Sequence, residues 1–118
     1  DAEIQNSAER YKNNNTKIVK AIKKTDLDTL LEENVSRTDI LALGFVLGQS
    51  SSFKTVDMLL KALGYDALYP RDPYEASLIY AYELHLAIPQ WHKLTNDIKN
   101  KIDGSIFPDG RHIKYREL

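Results

Sequence analysis

Residues 56–66 read VDMLLKALGYD, an apolar helical run that stops at a glycine. Apolar residues from Phe53 to Leu63 follow the three- and four-residue spacing of one helix face. Gly64 comes directly after this run, so we predict that it closes the helix with a positive φ. A short helix of this kind buries its apolar face only against neighbouring helices. The stretch therefore favours a domain of stacked helix pairs.

The rest of the chain shows the same alternation of short helical runs and breakers. Residues 25–28 and 72–75 are typical of helix starts, because each places a capping side chain shortly before a carboxylate. Residues 40–47, after a further start at Ser36, are apolar on every side, which is typical of the buried centre of a domain. The predicted helices cover residues 2–12, 17–24, the run that begins at Leu27, 40–47, 53–63, 73–87 and 89–102.

These helices predict one all-α domain, residues 1–118, of about six or seven short helices that could stack as degenerate helix pairs. Trp91 opens the apolar stripe of the last helix, so we expect it in the core. The helical pattern ends near residue 103. Residues 103–118 surround a proline-glycine turn, which predicts a small β-hairpin or an extended tail that packs on the helices or on a partner.

The composition, with 42% hydrophobic and 28% charged residues, is that of an average soluble protein. The net charge of −1 argues against a surface that coats nucleic acid, and the absence of cysteine excludes disulfides, thiolate nucleophiles and cysteine-bound zinc. The chain begins at Asp1 and its single methionine is Met58. We interpret this as a removed signal peptide or as a domain cut from a longer protein, so cytoplasmic and exported locations both stay open.

Motifs for common enzyme and cofactor sites are missing from the sequence. It has no glycine-rich phosphate loop, no Gly-x-Ser-x-Gly elbow, no dinucleotide fingerprint and no calcium-loop spacing. His85 and His92 are separated by a predicted helix break, so their spacing does not define a metal pair. We therefore expect neither a cofactor nor a metal.

Residues 56–66 resemble the outer helix and glycine-containing corner of an ankyrin repeat, and residues 38–47 resemble its inner helix. The sequence departs from the repeat in two places. Thr38 is followed by Asp-Ile-Leu instead of Pro-Leu-His, and the serines at 50–52 lengthen the corner between the helices. The resemblance implies a non-catalytic scaffold that presents inner helices and loop tips to another protein.

The loop after Gly64 is the predicted partner-binding site. Tyr65, Tyr69 and Arg71 lie within seven residues, and tyrosine and arginine are the residue types that often anchor protein interfaces. Tyr74 and Tyr82, which follow the loop, could instead pack inside the domain. The leading hypothesis is an inhibitor or immunity-type protein that occupies a partner.

An alternative hypothesis uses the basic C-terminal segment. On an extended strand His112, Lys114 and Arg116 would share one face, where a histidine could move a proton while the cations stabilise a phosphoryl transition state. The segment is similar to the basic, histidine-bearing C-terminal strands of small secreted bacterial toxin domains. It predicts a metal-independent ribonuclease, although no second histidine or carboxylate is tied to His112 by spacing.

Overall fold

The computed structural model describes residues 2–14, 16–48 and 52–103. This part of the chain folds into seven helices and contains no strand, which confirms the all-α prediction. The helices are α1 (Ala2–Asn14), α2 (Thr16–Lys23), α3 (Leu27–Glu32), α4 (Arg37–Leu47), α5 (Phe53–Ala62), α6 (Pro73–Glu83) and α7 (Ile88–Asp103). The hairpin or tail was predicted over residues 103–118. Of these residues the structure describes only Asp103, the last residue of α7.

Helix α4 forms the centre of the domain. Its residues 39–44 are all buried, and it packs against α1, α5 and α6. The start of α4 agrees with the sequence: the Ser36 hydroxyl accepts a hydrogen bond from the N–H of Asp39, whose carboxylate in turn accepts the N–H of Ser36. This reciprocal cap fixes the first turn of the central helix.

A glycine on α4, Gly44, allows α5 and α6 to pack closely against α4. A Cβ atom added at Gly44 would lie 2.6 Å from Cε1 of Tyr82 and 2.9 Å from Cγ2 of Val56. The Tyr82 hydroxyl is buried and donates a 2.7 Å hydrogen bond to the carbonyl of Leu41. Burial raises the pKa of Tyr82 well above its ordinary value, so this hydroxyl stays a donor. The contact between α4 and α6 is therefore both close-packed and hydrogen-bonded.

Helix α4 ends at Gly48, with a φ of 55°, and four other helices end alike, each at a residue of positive φ that is accompanied by two closing hydrogen bonds. These residues are Thr25, Asn34, Gly64 and His85, which follow α2, α3, α5 and α6. After α5, the N–H of Tyr65 donates to the carbonyl of Leu60 at 2.8 Å and that of Gly64 donates to Lys61 at 3.1 Å. This is the two-bond helix-closing arrangement, and the φ of 84° at Gly64 confirms the prediction made from its place after the apolar run.

Two of the predicted helix boundaries were wrong, because the same two-bond closure ends α2 and α6 at other residues. Thr25 has a φ of 55° and ends α2, so Asp26 is the residue that caps α3, by accepting the N–H of Thr29. The helix predicted over 73–87 ends at Glu83, because the chain turns at His85 and the N–H of Leu86 donates back to Ala81.

Smaller differences occur at two other ends. Helix α1 continues to Asn14, past the predicted end at residue 12, and α7 begins at Ile88, one residue before Pro89. Trp91 is fully buried, as predicted, and its indole N–H donates to the Ser77 hydroxyl at 2.9 Å.

Candidate functional site

The loop at residues 66–72 joins α5 to α6, and three side chains from three helices hold its backbone. Nε of Arg37, the first residue of α4, donates to the carbonyl of Asp66 at 3.1 Å, and Asp57 of α5 accepts the N–H of Leu68 at 3.1 Å. Glu75 of α6 accepts the N–H of Tyr69 at 2.9 Å. The loop backbone is therefore tied to the helices on each side of it.

Glu75 is the central group of this network. It is buried, and its Oε1 also pairs with Nη2 of Arg37 at 2.9 Å. From the sequence, Glu75 belongs to a helix-start signal, and the structure shows that its carboxylate reaches the loop. The capping itself is done by Asp72, which accepts the N–H of Tyr74 at 3.1 Å.

The three predicted partner-binding residues have different environments. Tyr65 is half-buried, and its hydroxyl donates a 2.7 Å hydrogen bond to the carbonyl of Val35, in the connection before α4. Tyr69 is 55% exposed and Arg71 is exposed, whereas Leu68 between Tyr65 and Tyr69 is buried in the core. The loop therefore presents Tyr69 and Arg71 to solvent, while Tyr65 and Leu68 hold it to the domain.

The sequence reasoning did not identify Arg37, Asp57 and Glu75 as residues of this site. One signal was available for Arg37, because a cation at the first position of a helix is disfavoured by the positive end of the helix dipole. A cation in such a place needs a specific partner, which is supplied here by Glu75 and by two loop carbonyls.

A second buried carboxylate, that of Asp39, joins α1 to α4. It accepts a 3.0 Å hydrogen bond from the Ser7 hydroxyl and pairs with Arg10. Burial alone would raise the pKa of Asp39, but hydrogen bonds from the Ser36 N–H, Tyr11 and Ser7, together with the charge of Arg10, bring this pKa below its ordinary value. Burial, followed by the bond to Asp39, raises the pKa of Tyr11 to about 12. This network attaches α1 to the central helix.

The groups proposed for catalysis lie outside the part of the chain that the structure describes. These are His112, Lys114 and Arg116. Of the other two histidines, His85 is exposed at the end of α6, and His92 is half-buried with its ring 5.2 Å from that of Trp91. Among the described residues, no group of histidine and carboxylate side chains is arranged to hold a metal ion.

Comparisons with protein-family models, with curated proteins and with solved structures give no match. Within the described ranges, no helix is both long enough and apolar enough to cross a membrane.

Proposed function

We propose that the chain is a non-catalytic protein-binding module, of the inhibitor or immunity type, that occupies a partner protein through the loop at 66–72. Tyr69 and Arg71 are the proposed anchors. Tyr65 lies directly before the loop and supports these anchors, because its hydroxyl donates a hydrogen bond to the carbonyl of Val35.

The observation that carries this proposal is an exposed aromatic residue on a backbone that is already fixed. Tyr69 is 55% exposed, yet its N–H donates to Glu75 and its carbonyl accepts the N–H of Asp72 at 3.1 Å. A loop that is held in one conformation loses little entropy when it binds. Tyrosine and arginine also provide large contact areas and strong hydrogen bonds at interfaces.

The helical scaffold supports the same proposal. Helices α4 and α5 pack together, as do α6 and α7, and α6 also contacts both α4 and α5. We propose that these are degenerate helix pairs of an ankyrin-like type, with α4 and α6 as the inner helices. In such arrays the connections between pairs are a usual place for partner contacts.

The test is partner binding by single variants of the full chain. The wild-type protein is immobilised, a binding protein is captured from an extract of the source cells, and the dissociation constant of the purified pair is measured. We expect Tyr69→Ala and Arg71→Ala each to weaken binding by about 1–3 kcal/mol. Both side chains are exposed, so the free energy of unfolding should change little.

Leu31→Ala is the matched control, because Leu31 is a similarly exposed large apolar residue, at 59%, that belongs to α3 and not to the loop. It should leave the affinity unchanged. Equal affinities of the wild type and the Tyr69→Ala, Arg71→Ala double variant would place the interface elsewhere on the protein.

A further inference from the structure

An apolar groove of about 360 Å³ runs between α6 and α7. Its walls are Pro73, Ala76, Ser77 and Tyr80 from α6, and Leu94 and Ile98 from α7. The polar groups at its base are already bonded, since the Ser77 hydroxyl donates to the carbonyl of Tyr74 and accepts the indole N–H of Trp91. Tyr80 is 53% exposed along one side. The groove therefore offers apolar surface without a further polar partner to satisfy.

One end of the groove lies near the C-terminal end of α7. Its walls combine the first turn of α6, at Pro73, with the second half of α7, at Ile98. Helix α7 ends at Asp103, five residues after Ile98, which is about 7.5 Å along the helix axis. The chain that follows α7 thus starts beside one end of the groove.

We propose that the C-terminal segment, residues 104–118, binds back into this groove, with Ile106 and Phe107 as its apolar anchors. An extended chain covers up to about 3.3 Å per residue, so Phe107, four residues after Asp103, can lie up to about 13 Å from the end of α7. This reach of about 13 Å exceeds the distance of about 7.5 Å along the helix axis from Asp103 back to Ile98. Gly104, directly after α7, is the residue type that most readily allows the required reversal.

The C-terminal segment places two large apolar side chains, Ile106 and Phe107, within five residues of the end of α7. This proposal does not depend on the protein-binding function of the 66–72 loop.

Disulfide trapping in the full chain tests the proposal, and the absence of native cysteine makes it unambiguous. Cysteines are introduced at Ala76, in the groove, and at Pro108, next to the anchors, so that Ile106 and Phe107 are kept. Under mild oxidation at low protein concentration, we expect a disulfide within one chain. The control pair, Lys20→Cys with Pro108→Cys, uses an exposed position on α2 outside the groove and should stay reduced.

Adding Phe107→Asp to the Ala76, Pro108 cysteine pair tests the anchor itself. The rate of disulfide formation should fall about tenfold or more, which is the factor expected from losing the burial of one large apolar side chain. Free thiols in the Ala76, Pro108 pair, or equal trapping in the Lys20 control, would overturn the proposal. Disulfide-linked dimers would also overturn it, because they would identify a second copy of the chain as the occupant. An unchanged rate of disulfide formation in the Phe107→Asp variant would also overturn the proposal.

Discussion

Oε1 of Glu75 lies 2.9 Å from the backbone nitrogen of Tyr69, so a buried carboxylate on α6 fixes the residue that the loop presents to solvent. The same oxygen pairs with Arg37, whose Nη2 also lies 3.5 Å from the carbonyl of Ala67. The ion pair between α4 and α6 and the conformation of the loop are therefore parts of one network. A change at Glu75 should affect the loop without removing any exposed side chain from it.

Replacing Glu75 with alanine should loosen the loop and destabilise the domain. The variant leaves the Tyr69 N–H without its acceptor and the partly buried Arg37 without its carboxylate partner, which should lower the free energy of unfolding by about 2–3 kcal/mol. Urea denaturation measures this loss. Amide hydrogen exchange at Leu68 and Tyr69 should become faster than in the wild type.

Two further variants separate the causes of this effect. Glu75→Gln keeps an oxygen that can accept the Tyr69 N–H but removes the charge, so its effect should be intermediate. Glu83→Ala removes an exposed carboxylate from the last turn of the same helix and should change neither stability nor loop exchange appreciably. Unchanged amide exchange in Glu75→Ala would show that the loop is held by other contacts.

Substitutions at two helix ends, Gly64→Ala and His85→Gly, should have opposite effects on the stability of the protein. Both have positive φ, of 84° and 53°, and no atom would lie within 4 Å of a Cβ added at Gly64. Gly64→Ala should therefore cost about 1–2 kcal/mol through backbone conformation alone. His85→Gly should stabilise the protein by about 0.5–1 kcal/mol, because the relief of strain exceeds the entropy lost by glycine.

His85→Ala is the control for the loss of the imidazole ring. It removes the ring but keeps a Cβ atom, so it should give no gain in the midpoint of thermal unfolding. A gain equal to that of His85→Gly would mean that the ring, and not the backbone, is the source of the strain.

The prediction of helix ends from the sequence succeeded where residue type and position agree. Gly64 and Asp72 are residues with strong local preferences, and both act as expected. Thr25 and His85 lack the strong preference of glycine for a left-handed conformation, so the boundaries near them were misplaced. The local sequence therefore predicts a helix end only where a residue with a strong conformational preference marks it.

The candidate site was predictable to a similar extent. Exposed residues of an interface-forming type, Tyr69 and Arg71, could be chosen from the loop sequence. The residues that hold the loop could not, because Arg37 and Glu75 are 38 residues apart and meet only after α4 and α6 have packed. The bond from Tyr65 to Val35, 30 residues away, has the same origin.

An assay for RNA cleavage separates the proposed function from the ribonuclease hypothesis. For a non-catalytic binding module, we expect the purified full chain to leave single-stranded RNA intact in the presence of a chelator. The ribonuclease hypothesis predicts cleavage without divalent metal, and its loss in His112→Ala without a change in helical circular dichroism. Cleavage that depends on His112 would therefore replace the binding proposal with the catalytic one.

The carboxylate of Asp39 should make stability depend on pH in a defined direction. Its pKa is lower in the folded protein than the ordinary value of about 3.9, since the Ser36 N–H, Tyr11, Ser7 and Arg10 outweigh the effect of burial. A group of this kind stabilises the fold above its ordinary pKa, and the contribution is lost as the pH falls through the folded pKa. Asp39→Asn should lower the free energy of unfolding by about 1–3 kcal/mol at pH 7, because the charge-assisted bonds to Arg10 and Ser7 are weakened.

The difference between the wild type and Asp39→Asn should shrink below about pH 4, where Asp39 of the unfolded chain becomes protonated. Urea denaturation at a series of pH values measures it. Asp28→Asn is the control, since Asp28 is exposed on α3 and should give only a small difference throughout the series. A difference between the wild type and Asp39→Asn that stayed constant down to pH 2 would mean that the ionised carboxylate does not hold α1 against α4.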